Sequence, residues 1–302
     1  MRLTASTRNF CVLCAASLLI WWHVLRTTLE LALRNDAYTH ILLIVPISVA
    51  LVILERRKQT WKPEPGSVTG LALLALALLI GIGGLRWGRV DIFTGDVRLA
   101  IEMLAVVLWW IGSFVFSFGG QIFRRSLFPL LFLLWLIPMP EFVLNWVVAV
   151  LQQGTASCAH ELFTIIGVPV TQNGTAVTVP GLTVNVAEEC SSIRSSLVLI
   201  VTSMVMSYLL LRSFWGRTVV ILASIPLAVA KNGLRVFTLA ALGAYVNPAI
   251  LNSPLHHQGG PLFLAVALAL LFGLIAIVSR LERKKASTIA TKLPRLSVSG
   301  IK

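Results

Sequence analysis

Long apolar blocks alternate with short polar breaks along the chain. The blocks lie near 10–30, 39–55, 68–86, 98–118, 126–139, 193–211, 218–240 and 261–279. Each approaches the roughly 20 residues that a helix needs to cross a bilayer. Helix breakers mark the gaps, with Pro63, Pro65 and Gly66 before the third block and Pro138-Met139-Pro140 after the fifth. The pattern predicts an all-α integral membrane protein, a polytopic bundle of about eight transmembrane helices. The first block runs through Trp21-Trp22 to Leu33, longer than the apolar core of a secretory signal and with no small-residue cleavage site after it. It therefore reads as the first anchor.

Residues 141–189 break the pattern. The stretch 141–166 is apolar but interrupted by Glu141, Asn145, Gln152, Gln153, His160 and Glu161. It is expected to lie on the membrane face or to pack inside the bundle without crossing. The Val- and Thr-rich stretch 168–186 carries the turn signal Asn173-Gly174 and predicts a short β-hairpin. Open strand edges cannot sit in lipid, so the hairpin is placed outside the membrane or over a water-filled site.

Composition sharpens this picture. Hydrophobic residues make up 57% of the 302 and charged residues only 12%, about half the charged share of a soluble domain. The mean hydropathy is +0.87. The net charge of +13 would suggest nucleic acid in a soluble protein. Here the basic residues cluster between blocks, as at Arg56-Arg57-Lys58, Arg124-Arg125, Arg212 with Arg217, and Arg283-Lys284-Lys285. That is the positive-inside pattern, so these breaks and both termini are read as cytoplasmic and no nucleic-acid partner is expected. The expected organisation is one transmembrane domain over 1–280 and a basic cytoplasmic tail over 281–302.

Candidate chemistry comes from polar residues in or beside apolar spans, where they are costly. Three groups stand out: Glu188-Glu189-Cys190-Ser191-Ser192-Ile193-Arg194, then Lys231-Asn232-Gly233-Leu234-Arg235, then His256-His257-Gln258-Gly259-Gly260. The span assignment puts all three at one membrane face, the outer one. Cys190 would sit at a helix amino terminus, where the dipole favours a thiolate. A nearby His could take its proton, and a nearby Arg could stabilise negative charge developing on a carbonyl. The glutamates would oppose a thiolate and fit better as groups that orient His or bind substrate. Taken singly, each has a plain reading: an apolar buried cysteine, a snorkelling arginine, interfacial histidines. Cys11 and Cys14 have redox-pair spacing but no nearby His or carboxylate, and read as small apolar side chains. Arginine beside the candidate ligands argues against a metal, and no cofactor is expected.

At these positions the sequence resembles the exosortase/archaeosortase family. The family's cysteine motif corresponds to Glu188 through Ser195, its N-x-x-R motif to Asn232 through Arg235, and its H-x-x-x-G motif to His256 through Gly260. Upstream, Tyr38-Thr39-His40 with Leu43 through Ser48, Ile137-Pro138-Met139-Pro140, and Gly167-Val168-Pro169-Val170 resemble further family segments. The likeness covers most of 36–280. It implies Cys190 as nucleophile, Arg235 as transition-state stabiliser and His256 as acid/base. His257 stays open as a substitute. Glu188, Glu189, Arg194 and Asn232 are implied as substrate-binding or supporting residues. Ser192 stands where the family usually has Gly, and Glu189 where it often has a small residue.

The resemblance further implies a membrane cysteine peptidase and transpeptidase in a bacterial inner membrane, its site facing the periplasm. Its partners would be exported proteins with PEP-like C-terminal tails and a lipid or glycan acceptor, in a setting of exopolysaccharide production. Three readings compete. A CAAX-type intramembrane protease needs three residues between its glutamate pair and Arg, and here there are four between Glu189 and Arg194. A transporter would line its pathway with Arg235, and a structural subunit of an export machine would use none of the three groups. Both predict that Cys190 is dispensable.

Overall fold

The computed structural model describes residues 5–58, 62–87, 95–186, 193–247 and 260–292. The chain divides into two compact units, Met1–Trp146 and Val147–Lys302. Cys190, Glu188, Glu189, His256 and His257 lie outside the described residues.

The first unit begins with α1 (Ala5–Ile20) and α2 (Trp22–Arg34). The expected anchor at 10–30 is not one straight helix, because the two segments meet at Trp21 with a bend of 78°. Val24, Thr28 and Ala32 recur at every fourth position as the buried face of α2, while its outer face pairs Arg26 with Glu30 at 2.8 Å. A short turn at Asp36–Tyr38 leads into α3 (Ile41–Lys58). Next come α4 (Val68–Trp87) and α5 (Gly95–Phe118). These two run antiparallel at close range: Gly66 N–H donates to Phe116 C=O at 2.9 Å, and a Cβ on Gly70 would stand 2.4 Å from the Phe116 backbone nitrogen. Small residues are what permit such an approach. On the other side, α5 receives α1 through Trp109 Nε1 to Leu13 C=O (3.0 Å) and Trp110 Nε1 to Ser17 Oγ (2.9 Å).

After α6 (Gly120–Arg125), the expected fifth span at 126–139 is only α7 (Leu127–Phe132) and a tight turn at Leu133–Leu136. Pro138 and Pro140 stop it after about 15 Å of rise, half the apolar core of a bilayer. The segment instead serves α3: Tyr38 Oη donates to Met139 C=O at 2.8 Å, Ser48 Oγ to Pro129 C=O at 2.7 Å, and the His40 ring meets the Trp135 ring edge-on. Two sequence segments about 100 residues apart, around Tyr38 and around Pro138, are thus one structural feature.

The boundary between the units lies in α8 (Glu141–Ile165), a continuous helix of 25 residues. It is long and apolar enough to cross a membrane, despite the polar residues that suggested otherwise. Among the described residues six helices meet that standard, or seven with the bent α1–α2 pair counted as one. The chain is a polytopic, all-α membrane protein with one small sheet.

That sheet has three strands where the sequence suggested two. Strands β1 (Thr171–Asn173), β2 (Ala176–Val179) and β3 (Leu182–Asn185) form an antiparallel meander. The second reversal falls at Pro180-Gly181. Gly181 has φ +80°, the value required of the second central residue of a type II turn. Val177 and Val179 point inward and are 1% and 2% exposed, while Thr178 faces out to Thr183.

The rest of the second unit is three long helices: α9 (Ile193–Leu210), α10 (Phe214–Tyr245) and α11 (Gly260–Lys292). They share a core that includes Leu199, Val220, Ala228, Ala267, Leu271 and Ile275.

Candidate active site

The antiparallel register of α9 and α10 is written in polar pairs. Ser203 Oγ donates to Ser224 Oγ at 3.2 Å near the middle of the pair. About two turns further along both helices, Asn232 Nδ2 donates to Ser196 Oγ at 3.3 Å. Beside it, Lys231 Nζ donates to Ser195 Oγ. All six side chains are buried, and Asn232 is 0% exposed. Ser203 and Ser224 also bond carbonyls of their own helices, but Lys231 and Asn232 would be costly alone in an apolar span, so their bonds fix both the register and the rotation of α10.

Arg235 lies one turn beyond Lys231 on the same helix and is 6% exposed. The register puts it level with Ile193, the start of α9. Two cationic side chains, one turn apart and buried, therefore face the amino-terminal end of α9, itself the positive end of a helix dipole. Such a locus suits an anion or an oxygen that gains negative charge during reaction. Arg194, in the first turn of α9, is exposed.

The opposite ends of these helices are locked by Glu282 of α11. Its carboxylate accepts from Arg212 N (3.0 Å), Ser213 N (3.2 Å) and Ser213 Oγ (2.5 Å) at the turn joining α9 to α10. From Glu282 back to Gly260 is about 33 Å of helix, and from Ser213 to Arg235 is also about 33 Å. The start of α11 is thus carried to the same end as Arg235 and Ile193.

Two further contacts set the pose of α10. It crosses α8 at small residues: a Cβ on Gly233 would stand 2.5 Å from Cβ and Sγ of Cys158, and one on Gly154 would stand 3.1 Å from Val229. One turn later, Val236 and Ala240 enter a core with Ala159 and Phe163 of α8, with Val177 and Val179 of the sheet and with Val186 just after it. The sheet therefore packs on the stretch of α10 that directly follows Arg235.

Of the residues picked out from the sequence, the structure brings Asn232 and Arg235 to one buried end, with Arg194 exposed beside them. Lys231, Ser195 and Ser196 belong to the same network and were not assigned a role. The available signal was a lysine inside an apolar block, which is rarely placed there without function. Among the described residues, no group of three or more His, Cys, Asp or Glu is arranged to hold a metal.

A polytopic helical membrane protein with a buried cationic end on α10 is the class that fold and site define. Residues 10–273, nearly the whole chain, match the family model of the transmembrane exosortases. The chain belongs to that family and is a membrane exosortase. No curated protein and no solved structure matches it.

Proposed function

We propose that this exosortase is a membrane cysteine transpeptidase that removes C-terminal sorting tails from exported proteins and passes them to a cell-envelope acceptor. Cys190 is the nucleophile, Arg235 the oxyanion partner and His256 the acid/base, with His257 next to it as the alternative. The observation that carries the reading is the buried network of Lys231, Asn232 and Arg235. It ties α10 to the first turn of α9, three residues after Cys190 in sequence, at the end where α11 begins four residues after His256. Covalent connectivity keeps Cys190 within about 11 Å of Ile193 and His256 within about 15 Å of Gly260.

The chemistry follows in two halves. The Cys190 thiolate attacks the carbonyl carbon of the scissile peptide, a C–S bond forms, and the carbonyl electrons move to oxygen beside the Arg235 guanidinium. As the C–N bond breaks, protonated His256 gives its proton to the leaving nitrogen, and the tail departs with a new amino terminus. A hydroxyl or amine of the acceptor then loses its proton to His256 and attacks the thioester. The C–S bond breaks and the thiolate returns. Asn232 positions Arg235 through the bond to Ser196, exposed Arg194 binds a substrate group, and Glu188 and Glu189 orient the histidine.

The substrates are PEP-tailed proteins, the acceptor a lipid or glycan, and the site faces the periplasm from a bacterial inner membrane. The three helices fit this use, because a substrate's own apolar tail helix can dock laterally from the bilayer. The test is Cys190→Ala, with Cys190→Ser beside it, scored by the size and location of endogenous proteins bearing such tails. The reading predicts that uncleaved precursor accumulates in both. Normal processing in Cys190→Ala would sink it and favour the transporter or structural-subunit readings.

A further inference from the structure

The first unit contains a cavity that this chemistry does not use. It measures about 310 Å³, within the range of small-molecule sites, and lies where α1 bends into α2 against α4 and α5. Trp21, at the bend, lines it and is 6% exposed. The ring is seated by Gly81 of α4, where a Cβ would stand 1.9 Å from indole Cη2. The benzo edge thus abuts α4, and the N–H belongs to the other ring. That N–H is closed off from solvent and, among the described residues, meets no acceptor.

Arg98 and Glu102 of α5 line the same cavity and pair with each other, Nε to Oε1, at 2.8 Å. The Glu102 side chain is 10% exposed. Among the described residues Arg98 engages only Nε and Glu102 only Oε1. The guanidinium amino groups and Oε2 remain for a guest. One cation and one anion are therefore presented side by side, with exposed His23 nearby. The other walls are apolar, and Ile20, Leu78 and Ile82 are 51%, 38% and 52% exposed. Exposed apolar faces of this kind meet lipid in a membrane protein. Finally, α5 has 24 residues, about 36 Å, against a hydrocarbon core of about 30 Å. Its first turn, which carries Arg98, thus reaches the edge of the hydrocarbon core, with Glu102 one turn deeper.

We propose that this cavity is a binding site for a zwitterionic phospholipid with a primary amine, of the phosphoethanolamine type. The phosphate accepts from the Arg98 amino groups. The ammonium donates to Glu102, and an acyl chain follows Ile20, Leu78 and Ile82. A purely anionic head leaves Glu102 facing like charge, and a trimethylated amine has no hydrogen to donate.

Native mass spectrometry and lipid titration of the full-length protein in detergent test this. The probes are phosphatidylethanolamine, phosphatidylglycerol and phosphatidylcholine with matched chains, plus soluble glycerophosphoethanolamine. The site predicts retention of phosphatidylethanolamine at least about tenfold tighter than the other two lipids. Glycerophosphoethanolamine should not displace it at equal concentration. Arg98→Gln removes the guanidinium that donates to the phosphate, and Glu102→Gln removes the charge. Each should weaken retention about tenfold. Equal binding of phosphatidylglycerol or phosphatidylcholine, competition by the soluble headgroup, or unchanged retention in Arg98→Gln would each overturn the proposal. If lipid-free melting shows that Glu102→Gln is misfolded, Arg98→Gln decides alone.

Discussion

A methyl group added at Gly233 tests whether the tight crossing of α8 and α10 holds Arg235 in place. Its carbon would stand 2.5 Å from both Cβ and Sγ of Cys158, about 1–1.5 Å inside the ordinary contact distance of carbon atoms. The sulfur can swing away by rotating χ1. Cβ cannot, so the two helices must part by about 1 Å. Overpacking of this size costs about 1–3 kcal/mol. Arg235 lies two residues on, so the same movement displaces its guanidinium, and misplacing a catalytic group by about 1 Å can lower a rate about 100-fold. Gly233→Ala is therefore expected to fold, to melt lower, and to lose far more processing than stability. Cys158→Gly in the same chain removes both clashing atoms and should recover most of each, with a coupling energy of about 1–2 kcal/mol. Cys158→Ala keeps the obstructing Cβ and should recover little. Thermal melting in detergent and the rate of tail processing read the two effects separately. Wild-type behaviour of Gly233→Ala, or equal rescue by Cys158→Ala and Cys158→Gly, would refute the reasoning.

Other positions carry sharper, smaller expectations. Lys231→Met keeps the volume and removes the buried ammonium, so melting should hold within a few degrees while processing falls at least about tenfold; unchanged processing would remove Lys231 from the site. Glu282→Ala strips three donors of their shared acceptor and should cost about 1–2 kcal/mol, read as a lower melting temperature, while Ser213→Ala should cost about as much, because both backbone bonds to the carboxylate survive but the cap on Gly216 N–H is lost. Tyr38→Phe deletes the bond to Met139 C=O and should cost about 1 kcal/mol, measurable by the same melt.

Much of the fold was legible because apolar runs without competing signals have few alternatives. The stretches at 98–118, 193–211, 218–240 and 261–279 all lie within α5 and α9–α11. The misread elements are those where a local signal opposed the average. The apolar block reads straight through Trp21, although the chain turns amphipathic there with His23, Arg26 and Glu30; the 78° bend falls at that change, where the Trp21 ring sits over Gly81 of another helix. Polar residues such as Gln152 and Gln153 weigh against crossing at 141–166, whereas the length and apolar content of α8 are enough for a span, and its small face packs on Gly233. Conversely, 126–139 looked apolar enough, but its prolines leave no room for a span. The third strand had its own signal in Pro180-Gly181, outweighed by the stronger Asn173-Gly174. In the site, Asn232 and Arg235 could be picked out because polar residues inside apolar blocks are conspicuous. Ser195 and Ser196 could not, since small hydroxyl residues are common in membrane helices, and only the antiparallel register reveals that they face Lys231 and Asn232.

The central claim is that Cys190 carries the acyl group. The most direct measurement is the intact mass of the purified protein after mixing with an exported protein that bears a PEP-like tail, with proteolytic mapping of any adduct. The account predicts a mass gain equal to the acyl part of the substrate, mapped to Cys190, released by hydroxylamine and absent from Cys190→Ala. An adduct on another residue, or cleavage of the tail by Cys190→Ala, would contradict it.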